Sequence, residues 1–310
     1  MSAEIAFQQM LVILILIMTG WLCRKARIIN DENNKCLSKL MLDVFNPAIL
    51  ISSMLDNKIE DRHSVLAAIG GAALFFAITI FLAMAVVRLI VRKTQDREIY
   101  QLMLTFSNLG FIGIPVISAL LGKDYLVYVA IYSFEYNILI YTYGIGLIAP
   151  DNKKENGTGS RLLGIMNIGT MASALAVVLF LLNIRLPGVL STAVSYLGDA
   201  AVPVSLMIIG VNLGGASFLE IFRSKQNYLF CLFKLLLIPV LEIWILKRLP
   251  FDEGFKEASA IILAMPAGTM PLILAMEYGR ETRFCSEGII LSTMLSVVTI
   301  PAVIWLYPLL

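Results

Sequence analysis

Long apolar runs separated by short polar stretches organise this chain. Ten of them fall at about 5–23, 37–55, 65–91, 100–121, 125–149, 162–183, 193–213, 227–248, 257–277 and 285–307. Each is long enough to cross a hydrocarbon core about 30 Å thick. In lipid every backbone polar group needs an internal partner, so the runs are expected to be helices. The alternating ten-residue strands of a β-barrel are not seen in the sequence.

Composition points the same way. Of 310 residues, 59% are hydrophobic and 15% charged, against about 25% charged in ordinary soluble domains. No polar stretch is long enough for a soluble domain; the longest, near 150–161, reads PDNKKENGTGSR. The first run lacks a positive leader and is followed by WLCRKAR, which fits a retained span better than a cleaved signal peptide. The expected class is therefore an all-α integral membrane protein of ten spans.

The net charge of +2 says nothing about partners, but the placement of charge is informative. Odd-numbered connections carry 16 Lys and Arg residues and even-numbered ones carry 7, with Lys234 inside a span. By the positive-inside bias, odd connections are cytoplasmic and both termini face outward. A multi-pass plasma membrane protein, in a bacterium the inner membrane, is the expectation. Membrane lipid is then the surrounding partner, nucleic acid is not expected, and a homodimer stays open. The four cysteines are scattered and read as small apolar fillers. The single histidine, His63, reads as part of a charged, solvated loop.

The chain resembles itself at an offset of 156 residues. Asp43 and Pro47 fall on Asp199 and Pro203, Pro115 falls on Pro271, and Arg92 falls on Arg248. The ten runs superpose as five on five. An odd number per half inserts the halves with opposite topology, a hallmark of secondary carriers. Residues 1–150 and 161–310 are then the two inverted repeats, joined by a cytoplasmic linker at 151–160.

The candidate chemistry lies inside the runs. The fourth holds Asn108, Gly110, Gly113 and Pro115 within eight residues; the ninth holds Pro266, Gly268, Thr269 and Pro271. Glycine and proline weaken a helix, and proline removes a donor. Two interrupted helices in corresponding positions point to a carrier's binding site, whose free N–H groups favour an anion. Packing kinks of small residues are the alternative. Asn108 can donate to such an anion, with Asn46 and Asn137 as further polar groups. Asp43 and Asp199 each lie one turn before a proline and are read as caps or as coupling and gating groups. Glu135 and Lys234 lie deeper, where a charge is expensive and usually functional. An anion contact, a proton relay or a mutual ion pair would each explain them.

The pattern N-x-G-x-x-G-x-P from Asn108 to Pro115, with Gly122 seven residues on, resembles the auxin efflux carrier family. So do GDAAVPVSLMIIGVNLG and AMPAGTMPLILAMEYG in the second half. The resemblance implies two inverted five-span repeats and a crossover of broken helices in spans 4 and 9, with Asn108, Pro115 and Pro271 at the crossover positions. It also implies a scaffold (about 1–56 and 161–214) and a mobile transport part (about 64–149 and 224–307) that moves in an elevator-like way. The family's solutes are weak organic acids: auxins in plants, malonate or malate in bacterial members. The short connection after the fifth run departs from many plant carriers and suggests a compact, bacterial-type member. No cofactor is expected; proton coupling, sodium coupling and no coupling all remain open. The rivals are a sodium-coupled carrier of the bile-acid symporter type and a channel or sensor. An enzyme is disfavoured because no HExxH motif or other catalytic set is visible.

Overall fold

The computed structural model describes residues 3–55, 62–91, 94–149, 166–182, 184, 186–215, 225–280 and 283–310. Their backbone is predominantly helical, and no strand is present among them beyond an isolated antiparallel bridge between Ser107 and Ala267. The expected linker 151–160 and Arg92 lie outside the described residues.

Five helices are long and apolar enough to cross a membrane by length and composition: Asp31–Leu55, Val65–Ile90, Gly188–Gly215, Lys225–Leu246 and Phe284–Leu309. In chain order the elements are α1 (Ala3–Lys25), α2 (Asp31–Leu40), α3 (Asn46–Leu55), α4 (Arg62–Ile90), α5 (Thr94–Thr105), α6 (Ile114–Leu120), α7 (Leu126–Leu139) and α8 (Ile145–Ile148). There follow α9 (Ile168–Leu182), α10 (Gly188–Asp199), α11 (Ala201–Gly215), α12 (Lys225–Leu232), α13 (Ile238–Leu246), α14 (Glu253–Leu263), α15 (Met270–Glu277) and α16 (Arg283–Leu306). Wider π-helical turns join α2 to α3 (Met41–Phe45), α7 to α8 (Ile140–Gly144) and α12 to α13 (Phe233–Leu237), and another (Leu109–Gly113) leads into α6. Because α4 begins at Arg62, the backbone of His63 belongs to its first turn and not to a loop.

Packing sorts these helices into two groups. In one, α1 lies along α11, and α3 packs on α9 and α10. The α1–α11 contact is backbone to backbone. A side chain at Gly210 would meet Ile17 O at 1.9 Å, and one at Gly20 would meet Met207 O at 2.0 Å. Small residues of this kind let helices approach closely in lipid, where dispersion contacts and not water release hold them together. In the other group α4 packs on α5 and α7, α13 on α14, and α12 and α14 on α16. Contacts of α9 and α3 with α7 connect the groups. Large side chains such as Ile15, Phe81, Leu89, Val298 and Trp305 stay exposed, which suits a surface bathed in acyl chains.

Candidate functional site

Two helices are interrupted, and the interruptions meet. The first gap, after α5, spans Phe106–Asn108; the second, after α14, spans Ala264–Thr269. Extended backbone in the two gaps pairs antiparallel. Asn108 N donates to Pro266 O (2.9 Å) and Gly268 N donates to Phe106 O (2.8 Å). Each break thus satisfies groups freed by the other, as buried non-helical backbone must. Close approach explains Gly268: a Cβ there would lie 2.9 Å from Ser107 O and 3.2 Å from Phe106 O.

Beyond the crossing, each chain resumes as a helix. Asn108 caps the first: its Oδ1 accepts from Phe111 N (3.1 Å), a standard N-cap arrangement. Its Nδ2 donates no hydrogen bond among the described residues. The N–H of Gly110, in the first turn, has no acceptor within the helix. The second helix opens at Thr269 with no side-chain cap bond and has Pro271 in its first turn, where the missing N–H costs nothing.

A cavity of about 260 Å³ lies against the crossing. Its walls include Asn108 and Gly110 from one break, Gly268, Thr269 and Met270 from the other, and Asn46, Asn137, Tyr141 and Asn167 from neighbouring helices. Asn46 presses on the crossing: a Cβ at Gly110 would be 2.9 Å from its Nδ2. The Asn46 Oδ1 atom is buried and accepts no hydrogen bond among the described residues. Asn137 Nδ2 donates to Ser133 O (2.8 Å). Asp43 is the one charged residue among those lining the cavity. It also lines a wide, open depression that Lys35, Lys39 and Asp31 share, so the cavity joins that depression at Asp43.

Of the residues singled out from the sequence, the cavity gathers Asp43, Asn46, Pro47, Asn108, Gly110, Asn137, Gly268 and Thr269. Pro266 contributes its carbonyl to the crossing but does not line the cavity, and Gly113, Pro115 and Pro271 lie in the resumed helices. Glu135 lies on another face of α7. Both its carboxyl oxygens are buried without a hydrogen-bond partner among the described residues. Asp199 is half exposed and forms an ion pair with Lys123, far along the chain from the crossing residues.

Lys234 stands behind the crossing. Its Nζ donates to Leu104 O and to Ser107 Oγ, both at 2.8 Å. It lines a small chamber that shares Ser107, Leu109 and Tyr136 with the cavity. Glu242, fully buried on the same span, lines that chamber too, with Thr79 Oγ1 at 2.5 Å from its Oε1. Sequence reading passed over Glu242, although one acid inside IPVLEIWIL was the signal for it. It also passed over Asn167, whose Oδ1 accepts from Thr170 N (3.0 Å) at the start of α9.

A cavity with several polar residues in its wall, placed where two interrupted helices meet among membrane-capable helices, is the arrangement of a membrane transporter. The family of membrane transport proteins matches residues 5–304, and the chain belongs to it; its motifs are those of the auxin efflux carriers. Similar proteins include an uncharacterized transporter of Methanothermobacter thermautotrophicus, 23% identical over 95% of this chain and 96% of its own length. A second, from Methanocaldococcus jannaschii, is 20% identical over 96% of this chain and 97% of its own. A Rhizobium meliloti protein provisionally named as a malonate transporter is 26% identical over 65% of this chain and 64% of its own.

Proposed function

We propose that this protein is a secondary transporter of small organic anions, weak carboxylic acids of the malonate or malate type, working by elevator-type alternating access. The observation that carries the reading is the cavity at the crossing, with Asn108, Gly110, Thr269 and Met270 all in its wall. The residues that open the two resumed helices line it together with Asn108, and helix N-termini and amide groups stabilise negative charge through hydrogen bonds and helix dipoles. A volume of about 260 Å³ suits a small solute. The mouth carries Lys35 and Lys39 against Asp31 and Asp43, so preference for an anion falls to the donors at the crossing. The name of the Rhizobium meliloti relative agrees with a small dicarboxylate.

The transport part in this reading is about 64–149 and 224–307, moving against a scaffold of about 1–56 and 161–214. The two packing groups support that division, since α1, α3, α9, α10 and α11 pack on one another and α4, α5, α7, α12, α13, α14 and α16 on one another, with the resumed half of the first broken helix, α6, lying against α1 and α11 where the two parts meet. Ten spans in two inverted repeats, with both termini outside, put the Lys35–Lys39 mouth on the cytoplasmic side. Lys123 and Asp199, which form an ion pair, then lie toward the opposite side and bridge transport part and scaffold. Cys36 is exposed in α2. With the other three cysteines changed to serine, it should react with an impermeant thiol reagent only in inside-out vesicles.

Uptake of radiolabelled malonate into proteoliposomes tests the function. Saturable uptake, competed by other small carboxylates, is the expected result. Flux that rises linearly with concentration would replace the carrier by a channel.

A further inference from the structure

We propose that the Lys234 ammonium is a built-in cation, filling at the broken end of α5 the place that a transported coupling ion would occupy, so that transport runs without sodium. The inference rests on the carrier reading above and names how that carrier is coupled.

In an unbroken helix Leu104 O would accept from Asn108 N, but that N–H is given to Pro266 O across the crossing. Leu104 O therefore lacks its helical donor, and the helix dipole places roughly half a negative charge at this end of α5. At bilayer depth water is not at hand to answer that carbonyl. Unwound carbonyls and half-helix C-terminal ends are what carriers with interrupted helices use to hold a coupling cation.

Here the place is taken by a side chain. Lys234 reaches it from the π-helical turn Phe233–Leu237 and is only 3% exposed. Its Nζ takes Leu104 O and Ser107 Oγ at 2.8 Å each. Across the chamber lie Glu242 and Thr79, with Glu242 held to Thr79 and not in direct contact with the lysine. A carbonyl and a hydroxyl at the ammonium, with the Glu242 carboxyl and Thr79 hydroxyl farther off in the same chamber, are the hard oxygen donors that a small monovalent cation takes. Lys234 holds the charge in that set covalently. It travels with the crossing and cannot be exchanged for an ion from either side. Ser107 is wall to both chamber and cavity, so the fixed charge also lies one residue's thickness from the proposed anion. Lys234 is thus a positioning residue: it ties the end of α5 and biases the site toward anions without touching the solute.

The test uses purified full-length protein in two assays: malonate uptake into proteoliposomes and thermal unfolding. Wild-type uptake and melting temperature should be the same in sodium chloride and in choline chloride of equal ionic strength. Lys234→Ala should lose uptake at least tenfold in choline and melt at lower temperature. Sodium or methylammonium, entering the space left, should restore both. Lys234→Met fills that space without charge and should show the loss but no rescue. Sodium-dependent uptake in the wild type, an undiminished Lys234→Ala protein, or a loss that no small cation reverses would each overturn the proposal. If the alanine variant does not fold, the wild-type comparison decides. Absence of saturable malonate uptake in every buffer would instead strike the carboxylate reading, leaving the melting-temperature arms to judge Lys234.

Discussion

The two interrupted helices perform the same geometric task with different chemistry. The α5 arm is rich in side-chain support: Lys234 answers the Leu104 carbonyl where it stops, and Asn108 caps the helix where it resumes. The α14–α15 arm has almost none. It resumes at Thr269 without a cap bond, and its partnership with the first arm runs through the backbone of Pro266 and Gly268. One arm carries polar side chains and charge; the other supplies close approach and bare amides. Substitutions of side chains should therefore hurt on the first arm, and substitutions that add bulk should hurt on the second.

The largest effect is expected for Asn108→Ala. It removes an N-cap worth about 1 kcal/mol and a hydrogen bond to a charged solute worth about 1.5–3 kcal/mol. Saturable uptake should fall on the order of 100-fold, with insertion in the membrane retained; wild-type uptake would break the comparison. Next comes Gly268→Ala. Its new Cβ would press on Ser107 O, and overpacking of this kind costs about 1–3 kcal/mol. A lower melting temperature and loss of uptake should follow. Gly113→Ala is the control, since its nearest neighbour would be an ordinary contact at 3.5 Å, and it should leave both unchanged. Thr269→Ala on the bare arm should do less. It loses a hydroxyl that caps no backbone group, so uptake should fall less than in Asn108→Ala, through a higher KM with the maximal rate preserved. Glu135→Gln should leave uptake intact at its best pH and flatten its pH dependence, because the only change is loss of a titrating group. An unaltered pH profile would remove Glu135 from coupling. The smallest effect belongs to Asp199→Asn. An ion pair about half exposed on both sides contributes about 0–1 kcal/mol. A shift in melting temperature of a few degrees at most is expected, reversed by swapping the charges of Lys123 and Asp199.

Much of this was legible in the sequence because lipid leaves few choices. An apolar run of that length has to be a helix; among the described residues each run contains helix, five of these helices are long and apolar enough to span, and most begin a few residues earlier where polar caps such as Asn30 and Asp252 lie. The crossing was legible as to its segments but not its residues. The interruption was expected within Asn108–Pro115; the chain is interrupted at Phe106–Asn108, and Pro115 sits in the first turn of α6. The π-helical turn before it absorbs the missing donor, and no local pattern announces such a turn. Asn108 and Asn46 were found because an amide in an apolar run stands out. The Lys234 and Glu242 contacts were not, because their partners Ser107 and Thr79 are 127 and 163 residues away. Which buried charges share a chamber is decided by helix packing, and only coordinates reveal it.

The central claim is that the meeting of the two breaks holds a carboxylate. Thermal unfolding of purified wild type and Asn108→Ala with a panel of mono- and dicarboxylates, at two pH values, tests it most directly. The account predicts that at least one small carboxylate raises the wild-type melting temperature in a saturable manner and leaves that of Asn108→Ala unmoved. Equal stabilisation of both proteins, or no stabilisation of the wild type by any of them, would contradict it.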